Sequence, residues 1–449
     1  MKQATAVPQS QPRSWRRWLF WGSLTIGFLS FPAFYVVFLL WDGEPPQDDD
    51  LMAARAAVAP ERNGALHLDA PEAAVDWGKR ELFQRCMAFT LDWDPKLADA
   101  LIAKNSGAIE KFDEALQAPE FHIDTGAGIS TDAVMHWRAL GDVLTIRAHR
   151  WLELGQLRKA MEDGLRQVRF GERVQKGSDV LIYFLVGTAL RANGFRALTD
   201  VIVRGRPSRE ESEWLERELA VPFLWRDSLA TSLRGEYRYM ARQYVEDPTE
   251  VDGDFFLIRR SVKEPAISGL LRPLLGTRLF LNPSLTRRLL AESVRDAVAA
   301  VLRSDGGLVP QQERLWYGPF PAKNYLGKRR CGMVLGHFQM AIDPAVGIEP
   351  QPALLRTLLA LRMHQLEKGG LPAKLEDLVP HFVAAVPLDP QGLPVLYDLE
   401  ARTLTPQGKS TDAAMAAVPI EFDPPLRPSS GFVSEEEEAT DEEPARGEE

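Results

Sequence analysis

The residues able to do chemistry are few and scattered. Seven histidines, His67, His122, His136, His149, His337, His364 and His381, show no metal-ligand spacing, and there is no H-E-x-x-H pair. No G-x-S-x-G elbow presents a serine nucleophile. Gly408-Lys409-Ser410 has the closing residues of a phosphate loop, but that motif needs a glycine five positions earlier, where Thr403 stands. Glu110, Asp113 and Glu114 read as a solvated helix face. His136 and His149 fall within one helical stretch and read as structural side chains. Cys331 and His337 sit in a Gly- and Pro-rich stretch, but nothing in the sequence joins them. No catalytic, cofactor-binding or metal residue is therefore assigned, no cofactor is expected, and the weight falls against an enzyme.

Cys86 and Cys331 could close one long disulfide loop in an oxidising compartment, or remain two separate buried thiols. The formal charge of −10 lies mostly at the ends. Ser434–Glu449 alone carries nine acids against Arg446, and the body between the ends is nearly neutral. Net charge thus points to neither a nucleic-acid footprint nor a polybasic membrane patch.

Residues 18–41 contain no charged side chain over 24 positions. At about 1.5 Å per residue such a helix is roughly 36 Å long, enough for a hydrocarbon core of about 30 Å. Trp15, Trp18, Trp21, Tyr35 and Trp41 lie towards its ends, where amphipathic rings prefer the interface. Lys2, Arg13, Arg16 and Arg17 precede the run; Asp42, Glu44, Asp48, Asp49 and Asp50 follow it. The positive-inside rule then keeps residues 1–17 in the cytoplasm and sends the bulk across a cell inner membrane as a single-pass, periplasmic body. The run is longer than a signal-peptide core, so an uncleaved anchor is expected.

Beyond it, residues 42–70 are rich in Pro, Asp and Ala and read as a stalk. Residues 71–303 repeat apolar side chains at helical spacing, predicting a helical-hairpin domain. Expected helices cover 134–154, 157–174, 180–192, one from Ser208 carrying a capping box with Glu211, 223–245 and 285–302. Gly155-Gln156 and Asn193-Gly194 are expected helix stops. Short joins imply antiparallel neighbours, stacked in a tetratricopeptide-like way without a clean repeat. Residues 304–351 read as an irregular connection with a short helix around 333–342. Residues 421–449 read as a disordered acidic tail. The fold class expected is mainly α, with a transmembrane helix and a small C-terminal α+β module over 352–420.

In that module, Leu355, Leu358, Leu359 and Leu366 stripe a helix ended by Gly369-Gly370. Leu375, Leu378 and Val379 face inward from a short helix, and residues 395–399 and 403–405 form a β-hairpin. The string Gly370, Pro372, Leu375, Leu378, Val379, Pro380, Val386, Pro387, Asp389, Pro390, Tyr397 resembles the C-terminal part of uncharacterised single-span membrane proteins of planctomycete-like and verrucomicrobial-like bacteria. Residues 323–328 and 198–202 also look like parts of that family. More broadly the module is similar to the C-terminal region of the type II secretion major pseudopilin. In the pseudopilin an acid-rich loop binds calcium, whereas residues 405–412 carry a single acid, Asp412, so no calcium site is expected.

The function expected is an extracytoplasmic protein-binding or assembly scaffold with a protein partner in the envelope and no nucleic acid. The alternatives are an envelope hydrolase whose acids the fold brings together and a pseudopilin-like secretion component.

Overall fold

The computed structural model describes residues 35, 37–39, 41–78, 86, 87, 89, 93–123, 131–221, 225–242, 281–303, 323–390, 392–407 and 418–424. It is mainly helical. In chain order the helices are α1 (Asp49–Met52), α2 (Pro95–Lys104), α3 (Ser106–Gln117), α4 (Thr131–Glu153), α5 (Leu157–Gly177), α6 (Leu181–Arg204), α7 (Arg209–Leu219), α8 (Trp225–Met240), α9 (Pro283–Leu302), α10 (Tyr325–Ile348) and α11 (Gln351–Lys368). One antiparallel sheet orders β1 (Leu396–Asp398), β2 (Thr403–Thr405) and β3 (Val418–Pro419). Of the proposed span, only residues 35, 37–39 and 41 are described. Among the described residues no helix is long and apolar enough to cross a membrane.

The chain divides into two compact units. The larger takes in Ala54–Glu236, Val301–Ser304 and Phe338–Glu449. Its α5 and α6 approach closely because both carry glycines: a Cβ on Gly171 would stand 2.4 Å from the Gly187 carbonyl oxygen, and one on Gly194 would stand 2.8 Å from that of Gly164. Asn193-Gly194, expected to end a helix, therefore lies inside α6. The glycine serves a helix crossing there, not a cap. Gly155, at φ +71°, does form the turn between α4 and α5.

The core of this unit is continuous with the C-terminal residues. Leu165, Leu198 and Leu215 from α5, α6 and α7 pack in one cluster with Leu354, Leu358, Leu378, Leu404 and Ile420. Fully burying each such leucine or isoleucine is worth about 1.5–3 kcal/mol. The residues expected as a separate module over 352–420 thus share their core with the helical domain. The hairpin is as expected, with Tyr397 opposite Leu404, and β3 adds a strand that the sequence pattern did not reveal.

The smaller unit takes in Met1–Ala53, Tyr237–Ala300 and Asp305–His337. Two corrections fall here. Residues 304–351, expected as an irregular connection, contain the 24-residue helix α10. The residue suggesting irregularity is a packing device: a Cβ on Gly327 would stand 2.1 Å from Thr286 Oγ1. Residues 42–70, expected as a stalk, are packed. Asp48 is 5% and Leu51 1% exposed in this unit, while Asn63 and Leu68 are buried in the other. Proline, alanine and aspartate give this run no periodicity, so its partners were not legible.

Those partners are mostly arginines. Asp48 accepts from Arg287 Nε at 2.6 Å and from the Tyr237 hydroxyl. Asp50 pairs with Arg295 at 2.6 Å, and Arg288 donates to the Glu44 carbonyl at 2.7 Å. Asp42 Oδ1 accepts from the Leu285 amide at 3.2 Å, satisfying one orphan donor of the first turn of α9. Asn282 Nδ2 reaches the Leu39 carbonyl at 3.1 Å, and Asn324 Oδ1 accepts from the Asn282 amide at 2.9 Å and Thr286 Oγ1 at 3.0 Å.

Candidate binding groove

The groove lies in the larger unit, between α7, α11 and residues 380–384, and encloses about 280 Å³. Ser208 starts α7: its Oγ accepts from the Glu211 amide at 3.2 Å while Glu211 Oε2 accepts from the Ser208 amide at 2.8 Å. This is the expected capping box. Leu215 and Leu219 then anchor one face of α7 in the core, which leaves Arg209, Glu213, Glu216 and Arg217 towards the groove. Gly369, at φ +79°, ends α11 and turns the chain back so that His381 and Phe382 form the third wall.

The wall carboxylates are already engaged. Glu216 accepts from Arg356 Nε at 3.1 Å, Glu213 from Arg209 at 3.0 Å, and Glu367 lies 3.0 Å from His381 Nε2. Leu359, Met363 and Phe382 supply apolar lining. Phe382 is held edge-on between His381, at 4.6 Å between ring centres, and His364, at 5.4 Å. Ser212, only 5% exposed, lines the groove, and its hydroxyl has no hydrogen-bond partner among the described residues. A mixed-charge rim and an apolar lining suit recognition of a peptide-like ligand.

A second polar region is enclosed between α4, α5 and α6. Arg147 grips Asp163 with two bonds of 2.7 and 2.6 Å, and burial still pushes the Asp163 carboxyl up. Gln167 donates to the Gly141 carbonyl at 2.6 Å, and Gln175 to Thr188 at 2.7 Å. Burial raises Asp142 to about 6 against the opposing charges of Arg138 and Arg196. Burial raises Glu172 and lowers Arg191 to about 10. Arg147 with Asp163, Gln167 with Gly141 and Gln175 with Thr188 hold the helices together.

The residues singled out in the sequence fall apart. His149 is 1% exposed, stacked on Phe89 at 4.7 Å, with Nε2 3.2 Å from Asp200 Oδ2. His136 is half-buried on the same helix. Glu114 pairs with Lys111 and His67, and Asp113 lies 3.8 Å from Arg166. Cys86 and Cys331 are both buried, and no disulfide joins them. Burial pushes the Cys331 thiol up to about 12, and it points at the Thr286 carbonyl, so it is no nucleophile. His337, six positions on, is exposed and falls on a different face of α10. Gly408-Lys409-Ser410 and most of the 405–412 loop lie outside the described residues. Among those described, no group of three or more His, Cys, Asp or Glu is placed to hold a metal ion.

The motif residues of the C-terminal region prove to be fasteners. Tyr397 donates its hydroxyl to the Pro372 carbonyl at 2.9 Å. Asp389 receives the Leu393 amide on Oδ1 at 2.9 Å, and its own amide donates to the Leu393 carbonyl at 2.7 Å. Gly392 completes that turn at φ +77°. Sequence reasoning missed the groove because no motif marks it. Its acids and arginines look like surface charge until α7 and α11 are placed side by side. No family model, curated protein or solved structure matches the chain.

Proposed function

We propose that this is a membrane-anchored, extracytoplasmic scaffold that works by binding, and that the groove between α7 and α11 receives a segment of a protein partner. The observation that carries the reading is the groove's composition. Glu213 and Glu216 are each held by an arginine and Glu367 lies against His381, so the wall carboxylates are engaged by neighbouring side chains, while Leu359, Met363 and Phe382 remain for a ligand.

The helices support the same reading. Contacts run in opposite order along α5 and α6, from Gly164 at Gly194 to Gly171 at Gly187, as in stacked antiparallel hairpins. Such stacks are a common frame for binding segments of other proteins. The uncharged run 18–41 would hold the frame at the membrane, and the resemblance to uncharacterised single-span bacterial proteins agrees with that layout.

Two measurements test the proposal. Protease added to intact spheroplasts should digest the bulk of the chain; a protected chain would overturn the topology. A photoactivatable residue replacing Glu213, in cells, should give a discrete crosslinked protein, while one replacing the exposed Leu154, just after α4, should not. Equal adducts at both positions, or none in the groove, would remove the scaffold reading.

A further inference from the structure

The smaller unit uses its cations very unequally. Arg287, Arg288 and Arg295 are each bound to residues 44–50. Lys323, Lys328 and Arg329, before and within the first turns of α10, form no ion pair among the described residues. The nearly neutral body had suggested no basic patch. Net charge hid this one because acids elsewhere in the chain, among them Asp48 and Asp50 on Arg287 and Arg295, offset it in the sum.

The position of the cluster is fixed by the chain itself. The Lys323 ammonium lies 4.0 Å from the centre of the Phe38 ring and 5.3 Å from that of Trp41. Asn282 and Asp42 tie the same end of α9 to residues 39–42. Residues 38–41 close the uncharged run of the proposed anchor. If that run spans the bilayer, the start of α10 meets the headgroup layer. Its exposed side chains suit that place. Trp41 is 67%, Tyr325 39% and Met333 40% exposed beside the free cations. Aromatic rings with lysine and arginine are the residues that settle at a membrane interface.

We infer that the start of α10 is a second membrane contact, in which Lys323, Lys328 and Arg329 bind anionic lipid headgroups while Tyr325 and Met333 rest in the interface. It rests on the anchor reading above. The contact would stop the smaller unit from swinging about its tether and hold that unit in one orientation on the bilayer. Its attraction is electrostatic and fades beyond a Debye length of about 10 Å at 0.1 M salt, so it weakens as salt rises.

The test uses the full chain reconstituted in vesicles of phosphatidylcholine, with or without phosphatidylglycerol. Tyr325→Cys and, separately, Met333→Cys are labelled with a fluorophore; Cys86 and Cys331 are each 1% exposed and do not compete. A label on Ala299→Cys, exposed near the far end of α9 in the same unit, is the reference. Headgroup nitroxides should quench the labels at 325 and 333 in anionic vesicles, with loss of quenching in high salt and in the triple variant Lys323→Gln, Lys328→Gln, Arg329→Gln. The label at 299 should stay bright. Release of the wild-type chain by alkaline carbonate would overturn the anchor, and the second contact with it. A retained chain with unquenched labels at both positions would overturn the second contact alone. Equal quenching in neutral and anionic vesicles would overturn the headgroup assignment.

Discussion

Asp48 and Arg287, 239 positions apart, meet at 2.6 Å, with the Asp48 side chain only 6% exposed. The pair joins the residues that follow the proposed anchor to α9. Asp48→Asn would leave Arg287 facing a neutral amide. The expected loss is about 2 kcal/mol, from a charged hydrogen bond on the lower side of the range for buried pairs. Amide exchange over residues 42–53 should then speed up roughly thirtyfold. Unchanged protection would mean that this run is held by something else.

The same pair sets an acid limit. Burial raises the Asp48 carboxyl, but hydrogen bonds from Arg287 and Tyr237 outweigh it and hold the group below its ordinary value. A depressed carboxyl stabilises the fold above the unfolded value of about 3.9, and that support is lost as pH falls through the folded value. Protection of residues 42–53 should therefore drop below pH about 4 in the wild type and show little further drop in Asp48→Asn.

Asp142 has the opposite sign. Burial between α4 and α6 raises it to about 6, so its ionised form is a strain on the folded state at neutral pH. Stability from this group is full below the unfolded value of about 3.9 and is lost as pH rises through about 6. Asp142→Asn should raise the urea midpoint at pH 8 by the equivalent of about 1–2 kcal/mol, and by roughly half as much at pH 5. An equal gain at both pH values would refute the titration.

The contact of α5 with α6 predicts a contrast between two glycines. A Cβ on Gly171 would stand 2.4 Å from a backbone oxygen, which cannot move without shifting a helix. Gly171→Ala should cost about 2–4 kcal/mol, beyond the usual range for overpacking because the obstacle is main chain. Gly155 has open space but sits at φ +71°, so Gly155→Ala should cost about 1–2 kcal/mol from conformation alone. Thermal unfolding of the two variants would rank them.

The sequence made legible what is local and periodic. Ser208 and Glu211 are three residues apart, and their capping box needs no tertiary information. The stripe of α11 and its stop at Gly369 followed from the same kind of pattern. What escaped was decided at long range. Gly194 and Gly327 look like helix breakers until the neighbouring helix that requires them is known. Asp48 looks like one acid of a solvated linker until Arg287 arrives. The groove shares that property, since its walls come from residues 209–217, 356–367 and 380–384, and no local spacing connects them.

Arg362 is the furthest case of a residue whose role only the fold reveals. It lies inside an apolar stripe of α11 and is 0% exposed. Its Nε and Nη2 donate to the Gly205 carbonyl at 3.0 and 2.8 Å, and Nη2 reaches Asp423 at 2.7 Å. The guanidinium also stands 4.9 Å from the centre of the Phe422 ring. It thus ties the end of α6 to the residues after β3. Arg362→Ala would strand the Gly205 carbonyl and open a large void, an expected loss of about 3–5 kcal/mol. Arg362→Lys should recover little, because one ammonium cannot reproduce the planar fork shared by carbonyl and carboxylate. Urea unfolding of the two variants, with proteolysis of residues 418–424 as the local readout, checks the claim. A lysine variant as stable as the wild type would show that charge alone, without the fork geometry, holds this corner.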